Sequence, residues 1–261
     1  MNYIREKRVY CGPEHLEVDI YPITQSQLNK NGKRSKKRKE TLPKKKRSND
    51  KRAKKRLRQT INTNFNEKDY IVTLTHKVPP LTVDEALKER QKYLERTKYH
   101  MAKRGLELKY VAVTEFGGTE DNPKNIHHHI IINGGLTRDE AEDLWSTGRG
   151  KKRERIGRAN ARRLQPDKTG LAGLAQYITK RPEGKKSWTC SKNLDRPWSR
   201  ENDHKYRRGQ IIKAAMSGDF SKILKNYSEY ELVDKDCGIE AVYNDFTGWS
   251  IYLRLRRKGS G

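Results

Sequence analysis

The sequence predicts an α+β protein: a central, largely antiparallel sheet with helices packed on it. Two observations carry that expectation. Between residues 70 and 182 the local patterns run strand–helix–strand–strand–helix–strand–helix, the order of a mixed sheet-and-helix domain. The 261 residues, 32% hydrophobic and 35% charged, supply enough apolar material for one sizeable core if the charges lie on surfaces and in appendages.

Each element has a local reason. YIVTLTH, from Tyr70, is β-branched and is followed by VPP, so it reads as a strand. LTVDEALKERQKYLERTKYHMAKRG reads as a helix, with Leu81, Leu87 and Leu94 on related faces, Thr82 as cap and Gly105 as stop. KYVAVTEF and HHHIIIN read as two further strands. LTRDEAEDLWSTG reads as a helix whose Thr137 and Glu140 form a capping box. RERIGRAN is expected to be another strand, and LAGLAQYITKRP a short helix stopped before Pro182.

The flanks are less regular. VYCGPEHLEVDIYPI, within residues 1–29, can hold a short strand or hairpin. Residues 30–58 carry seventeen Lys and Arg against Glu40 and Asp50, a run that buries no core and is expected to be disordered in its first part. It reads as a solubilising tail or as an arm for a DNA backbone. From about Asn49, Leu57 and Ile61 at helical spacing predict a helix leading into the core. Residues 199–226 are expected to be mainly helical, and YELVD, IEAVYND and WSIYLRLRR to be strands. The expected organisation is therefore an N-terminal region at 1–66 with a basic arm, a compact domain at 67–200, and a helical and β extension at 201–261.

Charge and cysteine content narrow the function. A net charge of +26 and a pI near 10 favour a polyanionic partner, most simply nucleic acid. No apolar run approaches the ~18 residues of a membrane span. The N-terminus MNYIREKRVY lacks the apolar stretch of a secretory signal. The three cysteines, Cys11, Cys190 and Cys237, are widely spaced, which argues against a disulfide framework or a structural zinc site. The expected location is cytoplasmic.

The candidate chemistry starts at His127-His128-His129. Side chains alternate along a strand, so His127 and His129 share one face while His128 points away with Ile130 and Ile132. If KYVAVTEF pairs with this strand as a hairpin, Glu115 comes beside the two imidazoles. Two His and one carboxylate with open positions can hold a divalent ion. Tyr177 and Lys180, three apart, share a helix face. A phenol becomes a workable nucleophile where a cation polarises its target phosphate. Alone, Tyr177 is one of 13 tyrosines, and Lys180 also reads as a surface lysine.

With these residues in place, the sequence resembles the HUH endonucleases over roughly residues 68–200. That family carries His–hydrophobic–His on a strand and Tyr-x-x-Lys on a later helix. IHHHIIIN matches the first pattern through His127 and His129, and YITK the second through Tyr177 and Lys180. VTEFGG resembles the segment that carries the acidic ligand, here Glu115. YIVTLTH, ending at Thr75 and His76, resembles the first strand motif, which helps hold DNA. SKNLDRPW is also similar to the replication-associated proteins of small phages, plasmids and integrated elements. Two departures are His128 in place of an aliphatic residue and a single tyrosine on the nucleophile helix, Tyr206 falling outside the pattern.

The resemblance implies a ferredoxin/RRM-like HUH fold and a single-strand endonuclease that initiates rolling-circle replication. It implies Mg²⁺ or Mn²⁺ held by His127, His129 and Glu115, with Tyr177 forming a 5′-phosphotyrosine on origin DNA. Placing the tyrosine after the histidines is the order of initiators and certain transposases. No GxxxxGK[ST] motif occurs, so a host helicase, with a host polymerase, is the implied partner. The alternatives are a tyrosine transposase acting on hairpin ends, a non-catalytic basic nucleic-acid-binding protein, and an iron oxygenase with the same ligands, which the charge disfavours. Trp188, Trp198 and Trp249 are candidates to stack bases or to pack in cores.

Overall fold

The structure is a computed structural model that describes residues 3–25, 43–78, 80, 82–118, 123–148, 150–179, 188–234 and 238–259. In chain order the first strands are β1 (Tyr3–Cys11), β2 (His15–Ile23), β3 (Tyr70–Thr75), β4 (Tyr110–Gly118) and β5 (Pro123–Ile132). They are followed by β6 (Ser146–Thr147), β7 (Glu154–Arg155), β8 (Ala159–Arg163), β9 (Thr189–Cys190) and β10 (Trp198–Tyr206). The last three are β11 (Tyr230–Leu232), β12 (Ile239–Asn244) and β13 (Gly248–Arg257). The helices are α1 (Pro43–Asn64), α2 (Val83–Ala102), α3 (Arg138–Asp143), α4 (Ala172–Ile178), α5 (Arg208–Ser217) and α6 (Ser221–Leu224). The fold is α+β with antiparallel sheets, as the sequence predicts. No described helix is long and apolar enough to cross a membrane.

The chain forms two compact units. One gathers Met1–Lys46, Asp167–Gly170 and Arg196–Gly261; the other holds Arg47–Pro166 and Leu171–Asp195. These boundaries differ from the linear division at 66/67 and 200/201, because strands from both ends of the chain pair with each other.

In the first unit, β1 and β2 form a hairpin whose last rung is Cys11↔His15, turned at Gly12 with φ 74°. The sheet order is β10-β1-β2-β13-β11, with β12 also on β13. Alternation in β2 and β13 sends Leu16, Val18, Ile20, Ile251, Leu253 and Leu255 to one face, where Ile211 and Ile223 of α5 and α6 cover them. Residues 198–206 are the exception to the helix expected over 199–226. WSRENDHKY has no apolar period of its own, and pairing with β1 decides its conformation.

In the second unit the sheet order is β8-β3-β5-β4-β9, all antiparallel. One face carries Val72, Leu74, Ala112, Ile130 and Ile132 against Tyr93, Leu94 and Met101 of α2 and Trp145. The opposite face carries Val111, Val113 and Ile131 against Leu57 and Ile61 of α1 and Ala175 and Ile178 of α4. Leu57 and Ile61 are buried, as their spacing predicts. Residues 30–42 of the basic run lie outside the described residues, and from Pro43 the run is α1. Thr82 caps α2, and Thr137 with Glu140 forms the expected capping box on α3, which is shorter than the expected helix.

RERIGRAN is broken into β7 and β8. Between them the Ile156 N–H donates to the Trp145 carbonyl, and the Ile156 and Arg158 carbonyls accept from Lys77 and Thr75. A Cβ at Gly157 would stand 2.0 Å from the Thr75 carbonyl oxygen, so only glycine permits this approach.

Candidate functional site

The site is built on the central strand of the second sheet. β5 pairs with β4 on one side and β3 on the other, the hairpin the sequence predicts. Three rungs on one face follow from the register. Ile71–Ile131–Val111 is apolar and lies in the core with α1 and α4. Thr73–His129–Val113 comes next, and Thr75–His127–Glu115 lies nearest the strand ends. One face of one sheet therefore passes from core to imidazoles and carboxylate within two rungs.

A bulge follows at once. The register shifts between Glu115 and Gly117, and Asn125 adopts a left-handed φ of 51°. Asn tolerates that conformation through its short polar side chain. The bulge shifts the register just beyond the Glu115–His127 rung, before pairing resumes at Gly117↔Lys124, and bulges commonly re-aim side chains.

The distances define the constellation. His129 Nε2 lies 3.6 Å from Glu115 Oε2, and His129 Nδ1 lies 3.4 Å from Thr73 Oγ1. His127 stands directly opposite Glu115 in register. The Tyr177 ring meets the His129 ring edge to face, with centroids 5.8 Å apart. Tyr177 is 64% exposed, although Ala175 and Ile178 of the same helix are buried. Thus α4 is anchored by its neighbours and leaves the phenol open to a ligand. Burial lowers the pKa of His129, against the opposing pull of Glu115, which favours the neutral, ligating imidazole. Lys180 lies outside the described residues.

Whether these donors suit an ion can be tested on spacing. Ligand–metal distances near 2.0–2.2 Å put two donors on one ion roughly 3–3.6 Å apart. The His129–Glu115 pair has that separation, and His127 adds a third donor residue on the same face. Among the described residues no three His, Cys, Asp or Glu side chains are already gathered as a ligand set. The donor chemistry, two imidazoles and a carboxylate, fits a divalent cation.

His128 has a different role. It is fully buried on the opposite face, accepts from or donates to Thr114 Oγ1 at 2.9 Å through Nδ1, and meets His76 Nε2 at 3.0 Å through Nε2. Arg90 can only donate, and it donates to Thr114 Oγ1 at 2.8 Å. Thr114 Oγ1 thus links Arg90 to His128 Nδ1, and one of the two facing Nε2 atoms of His128 and His76 donates to the other. Burial holds the His128 pKa well below its ordinary value, so this imidazole stays neutral. Trp145 closes the cluster edge-on to both rings and donates to the Thr75 carbonyl at 2.7 Å.

The structure thus sets Glu115 and Tyr177 against His129, with His127 opposite Glu115 in register. Thr73, Thr114 and Arg90 were not singled out by the sequence. Thr73 was findable, since it precedes Thr75 by two and shares its face, whereas Thr114 and Arg90 are recognisable only through their partners. Tyr206, which falls outside the Tyr-x-x-Lys pattern, ends a strand rather than lying on a helix; it is buried and meets the Tyr227 hydroxyl at 3.2 Å. Among the described residues Cys190 is a free thiol, the buried Cys11 Sγ donates to the Val9 carbonyl, and Cys237 lies outside the described residues.

Residues 69–182 match the sequence model of a family described as replication-associated protein ORF2. The match covers less than half of the chain and includes Glu115, His127, His129, Tyr177 and Lys180. No curated protein and no solved structure matches the chain.

Proposed function

We propose that the protein is a replication initiator that nicks and rejoins single-stranded origin DNA through a 5′-phosphotyrosine at Tyr177. The observation that carries this reading is the edge-to-face contact of the exposed Tyr177 ring with His129, itself 3.6 Å from Glu115. The family match to replication-associated proteins supports it, because the matched residues include this constellation.

His127, His129 and Glu115 would hold Mg²⁺ or Mn²⁺. Such an ion withdraws charge from a bound phosphate and offsets the charge that develops in the transition state. By holding that ion, Glu115 and the two imidazoles would fix where the scissile phosphate sits on the sheet face. The Tyr177 oxygen attacks phosphorus in line and forms the O–P bond as the P–O3′ bond breaks. The phenolic proton is lost to solvent or a nearby base, and the departing 3′ oxygen takes one up. Lys180 offsets phosphate charge during the exchange. The freed 3′-hydroxyl primes a polymerase. In the reverse step a 3′-hydroxyl attacks the tyrosyl phosphate, reseals the strand and releases Tyr177. Each step exchanges one phosphodiester for another, so no nucleotide hydrolysis is required. Strand separation falls to a host helicase in the cytoplasm.

The test is incubation with a labelled origin oligonucleotide and Mn²⁺, with the covalent adduct mapped by mass spectrometry. The expected adduct is on Tyr177. Tyr177→Phe should form none while binding the oligonucleotide normally, and His129→Ala or EDTA should stop cleavage. An adduct on another tyrosine, or cleavage by Tyr177→Phe, would overturn the assignment.

A further inference from the structure

We propose that the β1–β10 edge of the first unit is a stacking platform for single-stranded DNA, centred on Trp198 and Arg200. The proposal takes DNA as the partner from the reading above but does not depend on the cleavage chemistry.

The structure separates the three tryptophans that the sequence could not. Trp188 is half-buried against the core and donates to the Ala53 carbonyl, and Trp249 packs on the core of the first unit. Trp198 is 61% exposed. It pairs across the strands with Tyr10, their ring centroids 4.8 Å apart at 33°. An exposed indole braced by a second ring presents a rigid π-surface at little entropic cost, which is what sequence-tolerant base stacking requires.

The next rung on the same face is Arg8↔Arg200. Like charges directly opposite on a sheet are destabilising unless something offsets them. Arg8 is offset by Glu6 at 3.1 Å, and the same carboxylate also holds Lys205 at 2.8 Å. That carboxylate is thus engaged by Arg8 and Lys205, and no ion pair of it with Arg200 is present among the described residues. Arg200 is exposed and forms no ion pair among the described residues. The acids of this strand are sorted to the opposite face, where Glu201 and Asp203 pair with Arg5 and Lys7. Trp198 and Arg200 therefore share a face that retains positive charge, about 7 Å apart along the strand. A base on the indole places its own phosphate within reach of that guanidinium. A chain of net charge +26 adds attraction for the same partner. β10 is also the outer strand of its sheet, so its free edge gives a nucleic acid access from the side.

The experiment is equilibrium binding of a fluorescent oligo-dT to the full chain over a series of salt concentrations. Trp198→Ala should weaken binding about tenfold or more, while Trp198→Phe should retain most of the affinity. Arg200→Gln should make the slope of log K against log salt shallower by about 0.7. Both side chains are exposed, and unchanged melting curves would confirm intact folding. Adduct formation at saturating oligonucleotide should be unaltered in Trp198→Ala. Wild-type affinity in Trp198→Ala, or an unchanged salt slope in Arg200→Gln, would overturn the proposal and leave the platform to a protein partner. Loss of adduct formation at saturation in Trp198→Ala would overturn a role confined to binding. Failure of the unmodified chain to cleave would count against the nickase reading alone, because the binding arms read the platform directly.

Discussion

Three consecutive histidines do two jobs because a strand turns successive side chains to opposite faces. His129 meets Glu115 and Tyr177 with His127 on the same face, while His128 is locked into a buried hydrogen-bonded chain. Alternation alone made the division of faces legible. The Thr73 contact to His129 Nδ1 was not, since register against a neighbouring strand decides it. Groups that hold the outer nitrogen of a ligating histidine fix its tautomer and orientation. Thr73→Val keeps the shape and removes the hydroxyl, so Mn²⁺ affinity measured by calorimetry should fall about tenfold. Equal affinity would show that Thr73 does not orient the ring. His128→Ala strands the Thr114 and His76 partners and opens a cavity. It should cost about 2 kcal/mol or more in urea unfolding, and a loss below measurement error would contradict the network.

At the scale of elements, helices hold the site in place. Leu57 and Ile61 on α1 pack in one cluster with Val111, Val113 and Ile131, the strand positions that continue into Glu115 and His129. Leu57→Ala should cost about 3 kcal/mol, read as a lower denaturant midpoint at constant m-value. The capping box on α3 adds a pH dependence. Its Glu140 is held at about 2 by Arg104 and by the Thr137 backbone N–H, below the usual 4.5. Above pH ~4.5 both states are ionised and the stabilisation is full; it is lost as pH falls toward 2, where the folded carboxyl protonates. Melting temperatures at pH 6 and pH 3 should therefore diverge more for the wild type than for Glu140→Gln. Identical drops would contradict the assignment. Caps were legible because they are local, as Thr82 and Thr137 show. The strand at 198–206 was not, since its partner β1 lies at the other end of the chain.

For the whole molecule the governing quantity is charge. Binding to single-stranded DNA should weaken with salt at a slope of about −0.7 per phosphate neutralised. Replacing Lys36, Lys37, Arg38 and Lys39 by Gln should make that slope shallower by up to about 3 if the basic run contacts phosphate. An unchanged slope would reduce the run to a solubilising segment. The sequence by itself determined the α+β class, the helix caps, the shared face of His127 and His129, and the polyanionic partner that the charge favours. Those follow from short-range stereochemistry and composition. Only tertiary structure decided that Glu115 meets His129, that Tyr177 is open beside it, that both chain ends build one sheet, and that Trp198 alone of the three candidate tryptophans faces solvent. Each depends on which distant strands pair and in what register, and no local pattern encodes that choice.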